Sequence, residues 1–278
     1  MSENKPSIAI LGYGKMGQAL AQGVLRSKVT RRLMAYDVLP ERIKAMKDDG
    51  VEPTRNNLEA VRSSDVVVIA VKPAQVASLL RELASDVKDQ LLISIAAGVR
   101  LHHLESILPS ARLIRAMPNI AAMVGEAITA LAPGRLSTKK DVETAMLIFS
   151  SIGKCRIIDE DLMDIVTGLS ASGLAYVFLV IEALADGALM MGMPHDIALE
   201  FSAQTVLGAA RLVLAKGAHP AELKKLVATP AGTTIAGLYE LERSKVRAAL
   251  MKAVNIFFSV MKKRLPNVKY MTAAKIMG

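Results

Sequence analysis

The stretch Ser7-Ile8-Ala9-Ile10-Leu11-Gly12-Tyr13-Gly14-Lys15-Met16-Gly17 decides the fold. Ser7–Leu11 is a short uncharged run with the character of a strand buried on both faces. An amphipathic helical pattern follows from Met16 to Ser27. Between them stands G-x-G-x-x-G, and in that context each glycine has a task. Gly12 makes the tight turn, Gly14 lets backbone approach a pyrophosphate, and Gly17 lets the helix pack closely on the strand. The helix start adds unpaired N–H groups and a partial positive charge. The loop Gly12, Tyr13, Gly14, Lys15, Met16, Gly17 is therefore expected to cradle a dinucleotide.

Working outward, Leu33–Tyr36, Val66–Val71, Leu91–Ile95, Leu113–Ala116 and Ile128–Leu131 also read as strands. Helical patterns over Pro40–Lys47, Ala74–Val87, Leu101–Leu108 and Thr138–Ser150 alternate with them. Strand–helix alternation predicts an α/β fold, a Rossmann-like doubly wound and mostly parallel sheet. Asp37 ends the second strand, 20 residues past Gly17. An acidic side chain there accepts hydrogen bonds from both ribose hydroxyls of NAD and repels the 2′-phosphate of NADP. Arg42 softens that repulsion, so the expectation is NADH or NADPH with NADH preferred. The competing role for Asp37 is capping the helix that begins at Pro40.

From about Asp161 the reading becomes all-helical: Ala175–Met191, His195–Lys216, Pro220–Val227, Thr234–Ser244 and Lys245–Arg264. The shift puts a boundary near Glu160, with a dinucleotide-binding domain over 1–160 and a helical domain over 161–278. Tyr176-Val177-Phe178-Leu179-Val180-Ile181 is apolar on every face of its helix, so it requires cover on all sides. A small helical domain seldom provides that alone, which implies a partner subunit.

Composition narrows the function classes. One cysteine, Cys155, excludes a disulfide framework and a CxxC zinc site, and it reads as a buried strand residue. His102, His103, His195 and His219 show no metal-ligand spacing, so no metal is expected. The first two read as solvated and His195 as structural. The net charge of +9 is spread thinly, densest at Lys262, Lys263, Arg264, Lys269 and Lys275. Few aromatics accompany it, and a solvated tail is preferred over nucleic-acid binding. No secretory signal pattern and no uninterrupted apolar run of membrane length is found; Glu182 and Asp186 break the nearest approach. The expectation is a cytoplasmic protein without membrane or nucleic-acid partners.

Four further stretches carry a family resemblance. They are Ala70-Val71-Lys72-Pro73, Ser94-Ile95-Ala96-Ala97-Gly98-Val99, Arg115-Ala116-Met117-Pro118-Asn119, and Val227-Ala228-Thr229-Pro230-Ala231-Gly232-Thr233-Thr234-Ile235-Ala236-Gly237-Leu238. With Val166–Tyr176 and Glu182–Gly187, and in this order, the chain resembles pyrroline-5-carboxylate reductase essentially end to end. The resemblance implies a sheet domain, a helical dimerisation domain, and an active site between them at a dimer interface. It also implies dimers that assemble further, commonly to decamers. The implied reaction is hydride transfer from NAD(P)H to the C=N carbon of 1-pyrroline-5-carboxylate, giving L-proline.

For the site, the resemblance implies Asn57 near the adenosine end and Ala70, Val71, Lys72 and Pro73 beside the nicotinamide ribose. Ala96, Ala97 and Gly98 form a floor under the ring, with Met117, Pro118 and Asn119 beside them. Thr229, Gly232, Thr233 and Thr234 are expected to hold the substrate carboxylate at a helix start. Thr234 and Ser172 are the candidates for relaying the imine proton. On the residues alone, Lys72 has a competing reading as a surface lysine, Asn119 as a turn cap, and Thr233 as a helix cap. The chain departs from the family pattern at Ala171, Leu174 and Ala231. A positive φ at Ala171 or Ala231 would cost about 1 kcal/mol. Three rivals remain open: a reductase of the six-membered imine, a β-hydroxyacid-type dehydrogenase, and a nucleotide-binding regulator without activity. The dehydrogenase is disfavoured because Val166–Tyr176 contains no lysine.

Overall fold

A computed structural model of the chain describes residues 5–264, with side chains through residue 256. The basic residues Lys262, Lys263, Arg264, Lys269 and Lys275 therefore fall outside the described side chains. The chain separates into two compact units, the first running through Ala171 and the second covering Ser172–Lys263.

The first unit is built on β1 (Ser7–Leu11), β2 (Arg32–Tyr36), β3 (Glu52–Pro53), β4 (Val66–Ile69), β5 (Leu91–Ser94), β6 (Arg112–Met117), β7 (Ala127–Pro133) and β8 (Gly153–Ile157). They form one sheet in the order β3-β2-β1-β4-β5-β6-β7-β8. β3, β2, β1, β4, β5 and β6 are mutually parallel, β7 is antiparallel to β6, and β8 is parallel to β7. Helices α1 (Lys15–Ser27), α2 (Pro40–Asp48), α3 (Asn57–Arg62), α4 (Pro73–Leu83), α5 (Leu101–Ile107) and α6 (Lys139–Ser150) supply the crossovers. The Rossmann-like, mostly parallel expectation is met. β3, only two residues long, carries no periodicity that a sequence reading could detect.

Uninterrupted apolar strands are what a two-faced core demands. Ile8 and Ile10 belong to one core, with Leu20, Val24 and Phe149. Ala9 and Leu11 point the other way, with Val76, Leu80 and Leu104. Each fully buried Val, Leu, Ile or Phe side chain among them contributes about 1.5–3 kcal/mol. Cys155 lies on β8, half-buried, with Sγ near the Ser150 hydroxyl and the Met146 carbonyl.

The segment after Glu160 stays with the first unit, beyond the boundary expected from composition. Arg115, fully buried on β6, reaches Glu160 at 3.2 Å and Asp164 at 3.1 Å. Arg100 also reaches Asp164, at 3.3 Å. Removing one member of such a buried set strands the other charge, at about 3–5 kcal/mol. These ion pairs and the buried Met163 fasten α7 (Met163–Val166) and the π-turn Thr167–Ala171 to the sheet.

The second unit contains α8 (Gly173–Met190), α9 (His195–Lys216), α10 (Pro220–Val227), α11 (Thr233–Arg243) and α12 (Val246–Arg264). α8 and α9 pack on one another, yet Gly173, Ala185, Ala198 and Ser202 are their only buried residues. Val177, Phe178 and Leu179 on α8 and Phe201 and Leu214 on α9 are exposed, Phe178 by 59% and Leu214 by 68%. A single copy thus leaves the expected all-round apolar helix uncovered. By length and composition, Glu160–Met190 and His195–Lys216 are apolar enough to cross a membrane, despite Glu182 and Asp186.

Candidate active site

In an open parallel sheet, ligands bind at the carboxyl ends of the strands, where the strand order reverses. Here the reversal lies between β1 and β4. The expected residues of the first unit gather along that edge: the glycine loop after β1, Ala70–Pro73 after β4, Ala96–Gly98 after β5, and Met117–Asn119 at the end of β6.

The loop is shaped from its backbone outward. Gly12 turns with φ +99°, and its N–H donates to the Tyr36 carbonyl at 2.8 Å. A Cβ there would meet the Ala70 carbonyl group at 2.8 Å, so the loop lies flush against the β4 exit. A Cβ on Gly17 would collide with the Gly12 carbonyl oxygen, so α1 abuts the loop. Gly14 is different: it caps α1 in extended conformation, with nothing among the described residues within 4 Å of where a Cβ would stand. Its side-chain position is open space beside the bare N–H groups of a helix start, a shape that admits a phosphate.

Tyr13 contributes only its backbone to this rim. Its ring is buried in the core, and burial, with Asp49 beside the hydroxyl, pushes its pKa well above the usual phenol range. Lys15 is exposed, and Met16 packs against the core.

Asp37 does not cap α2, whose cap residue is Leu39. One carboxylate oxygen accepts the Tyr13 N–H at 2.7 Å and the other the Leu39 N–H at 3.1 Å. A carboxylate has about four acceptor positions, so each oxygen keeps capacity for a hydroxyl. Asn57, at the start of α3, donates its side-chain amide to Glu82 at 3.1 Å. Lys72 caps α4, its N–H donating to the Gln75 side chain at 3.3 Å, while Pro73 fills the first helical position. Ala96 is buried; Ala97 and Gly98 are half-buried.

Met117, Pro118 and Asn119 are buried. Asn119 is the cap residue of the 3-10 turn Ile120–Val124, but its side chain makes no capping bond: Nδ2 donates to the Ser170 carbonyl at 3.2 Å, and buried Oδ1 has no partner among the described residues. A buried acceptor without a donor is costly and suits a ligand that brings one.

A hollow of about 610 Å³ lies at the opposite, amino-terminal edge, lined by Arg31, Asp65, Arg112 and Asp141 among others. Its arginines are already paired, Arg31 with Asp65 and Arg112 with Asp141. It carries none of the loop features above.

In the second unit, Thr229, Gly232, Thr233 and Thr234 form one turn at the head of α11. The Gly232 N–H donates to the Thr229 carbonyl at 3.1 Å. Gly232, not Thr233, is the cap residue, and no side chain caps the helix, so its first N–H groups lack a side-chain acceptor. Thr234 is half-buried and Thr233 exposed. Ala231 adopts φ +56°, the strained conformation anticipated for it, whereas Ala171 sits in the π-turn without positive φ. Ser172 precedes α8 and is half-buried, its hydroxyl making no capping bond. The reading from sequence missed Arg115, Asp164 and Asp49. A lone arginine inside the apolar run Leu113–Ala116 was the available signal for the first.

The family description "Pyrroline-5-carboxylate reductase dimerisation" matches residues 160–263, and "NADP oxidoreductase coenzyme F420-dependent" matches residues 7–98. A pyrroline-5-carboxylate reductase of Methanosarcina acetivorans is 46% identical over 89% of this chain and 93% of its own. Among solved structures, the Coxiella burnetii pyrroline-5-carboxylate reductase superposes with TM-score 0.86 at 30% identity, covering 94% of this chain and 98% of that one. A Plasmodium falciparum pyrroline carboxylate reductase with NADP bound gives TM-score 0.85 at 29% identity, covering 95% and 98%. With 46% identity maintained across nearly the whole chain, the protein belongs to the pyrroline-5-carboxylate reductase family.

Proposed function

We propose that this chain reduces 1-pyrroline-5-carboxylate to L-proline, the closing step of proline synthesis, with NADH preferred over NADPH. The observation that carries the reaction is the family membership; the glycine loop with open space at Gly14 supplies the physical fit for the cofactor.

When bound, the nicotinamide supplies a hydride to the imine carbon. The Gly12–Gly17 loop and the α1 start hold the pyrophosphate, and Asp37 takes the adenosine ribose hydroxyls. Asn57 lies toward the adenosine. Ala70, Val71, Lys72 and Pro73 flank the nicotinamide ribose, and small Ala96, Ala97 and Gly98 let the ring lie flat. Unpartnered Asn119 Oδ1 accepts from the carboxamide, with Met117 and Pro118 beside it. The uncapped α11 start, with Thr229, Gly232, Thr233 and Thr234, holds the substrate carboxylate. The imine nitrogen must carry a proton to be a good electrophile, and the amine product keeps it. The Thr234 or Ser172 hydroxyl passes or holds that proton. Orientation supplies the rest of the catalysis.

The exposed apolar faces of α8 and α9 are read as the surface a second copy covers, making a homodimer that assembles to a decamer. The reading is of a cytoplasmic enzyme without membrane or nucleic-acid partners. The test is NADH oxidation by the purified chain with five- and six-membered cyclic imines, repeated with NADPH. Turnover of pyrroline-5-carboxylate with higher kcat/KM for NADH is expected. Dinucleotide binding without turnover leaves the regulator. A preference for the six-membered ring reassigns the substrate, and a higher kcat/KM with NADPH overturns the Asp37 reading. Sedimentation of the pure protein as a monomer overturns the assembly.

A further inference from the structure

Behind the glycine loop, one carboxylate joins three elements. The Tyr13 hydroxyl donates to Asp49 Oδ2 at 2.8 Å, at the end of α2. The same oxygen accepts the Gln18 side chain at 2.8 Å, and Oδ1 accepts that of Gln22 at 3.0 Å, both from α1. Partial burial pushes the Asp49 pKa up, but these donors outweigh it and hold the carboxyl below its usual range. At its other end, Tyr13 gives its backbone N–H to Asp37 Oδ2 at 2.7 Å. One residue thus links a half-buried anchor to the carboxylate at the proposed ribose position.

We propose that Tyr13 is a positioning residue for the cofactor: its hydroxyl, moored on Asp49, fixes the glycine loop and through its own amide aims Asp37. The proposal rests on the cofactor reading above. Three glycines in six residues leave this backbone unusually free, and ordering it on binding would weaken affinity. A moored Tyr13 orders it beforehand, the physical meaning of preorganisation.

Tyr13→Phe keeps the ring and its packing and removes only the hydroxyl; Asp49 retains Gln18 and Gln22 as donors. Losing one charge-assisted hydrogen bond from the loop, only part of whose worth is transmitted to binding, should raise the Kd and KM for NADH by roughly three- to tenfold. The KM for the imine should stay within about twofold, a split that general destabilisation would not produce. The ratio of NADH to NADPH affinity should fall, because Asp37 is less well aimed. Asp49→Ala should act in the same direction, and the double variant should bind no worse than the weaker single one. Kd values come from nicotinamide fluorescence, with melting curves alongside. A wild-type NADH Kd in Tyr13→Phe, or equal rises in both KM values, overturns the proposal. A wild-type protein that binds neither dinucleotide overturns the cofactor reading beneath it as well.

Discussion

Gly14→Ala separates the loop's binding role from its folding role. The backbone at Gly14 has φ −74° and ψ −173°, a region alanine enters freely, and an added methyl would touch nothing. Capping preference falls by less than about 1 kcal/mol, and the stiffer unfolded chain returns about 0.4–1 kcal/mol. The melting temperature should therefore move by no more than about 3 °C. Binding should respond differently, because the proposed cofactor reading puts a pyrophosphate oxygen in that open space beside the helix start. Displacing one charge-assisted hydrogen bond removes about 1.5–3 kcal/mol. The NADH Kd should rise roughly tenfold to a hundredfold. Gly17→Ala is the contrast: its methyl meets the Gly12 carbonyl oxygen well under 3.0 Å away, and backbone must shift. Such overpacking costs about 1–3 kcal/mol, so melting and binding should decline together. NADH fluorescence titration beside thermal unfolding reads both quantities. Wild-type NADH affinity in Gly14→Ala would falsify the phosphate assignment, and melting as low as that of Gly17→Ala would refute the open-space argument.

Three other outcomes are expected. Thr234→Val should lower kcat/KM by at least about tenfold without loss of fold, since a relaying hydroxyl is worth about a hundredfold or more; wild-type kinetics would remove Thr234 from the mechanism. Ala231→Gly should relieve the positive φ and gain up to about 1 kcal/mol, seen as a rise of a few degrees in melting temperature; a lower melting temperature would contradict it. Burial would raise the Asp65 pKa, but the Ser7 amide and hydroxyl and Arg31 outweigh it and hold the carboxyl below its usual range. A depressed carboxylate adds stability above its unfolded pKa, and that stability is lost as pH falls through the folded value. The melting difference between wild type and Asp65→Asn should therefore be largest near neutrality and shrink below about pH 4; a constant difference would show that Asp65 is not the group involved.

The sheet domain was legible because its signals are local. Uncharged strands such as Val66–Ile69 announce burial on both faces, and a glycine triplet between strand and helix has few other uses. Asp37 was legible by spacing, yet its bond to the Tyr13 amide was not, since residues 24 apart meet only after β1 and β2 pair. The boundary near Glu160 followed composition. The structure carries the first unit on to Ala171 because Arg115, Asp164 and Met163 bind that stretch to the sheet. A periodicity argument counts apolar faces and does not see an ion pair closing over 49 residues.

By itself the sequence determined the strand–helix alternation, the glycine loop between strand and helix, the apolar helix, and the family. All are patterns within a few turns of chain, or similarity along its whole length. Tertiary structure alone decided that, among the described residues, Gly14 faces open space while Gly17 does not, that Asn119 Oδ1 is buried without a partner, and that Tyr13 is moored to Asp49. Each depends on which distant backbone or side chain arrives alongside, and close packing settles that only once the whole domain has formed.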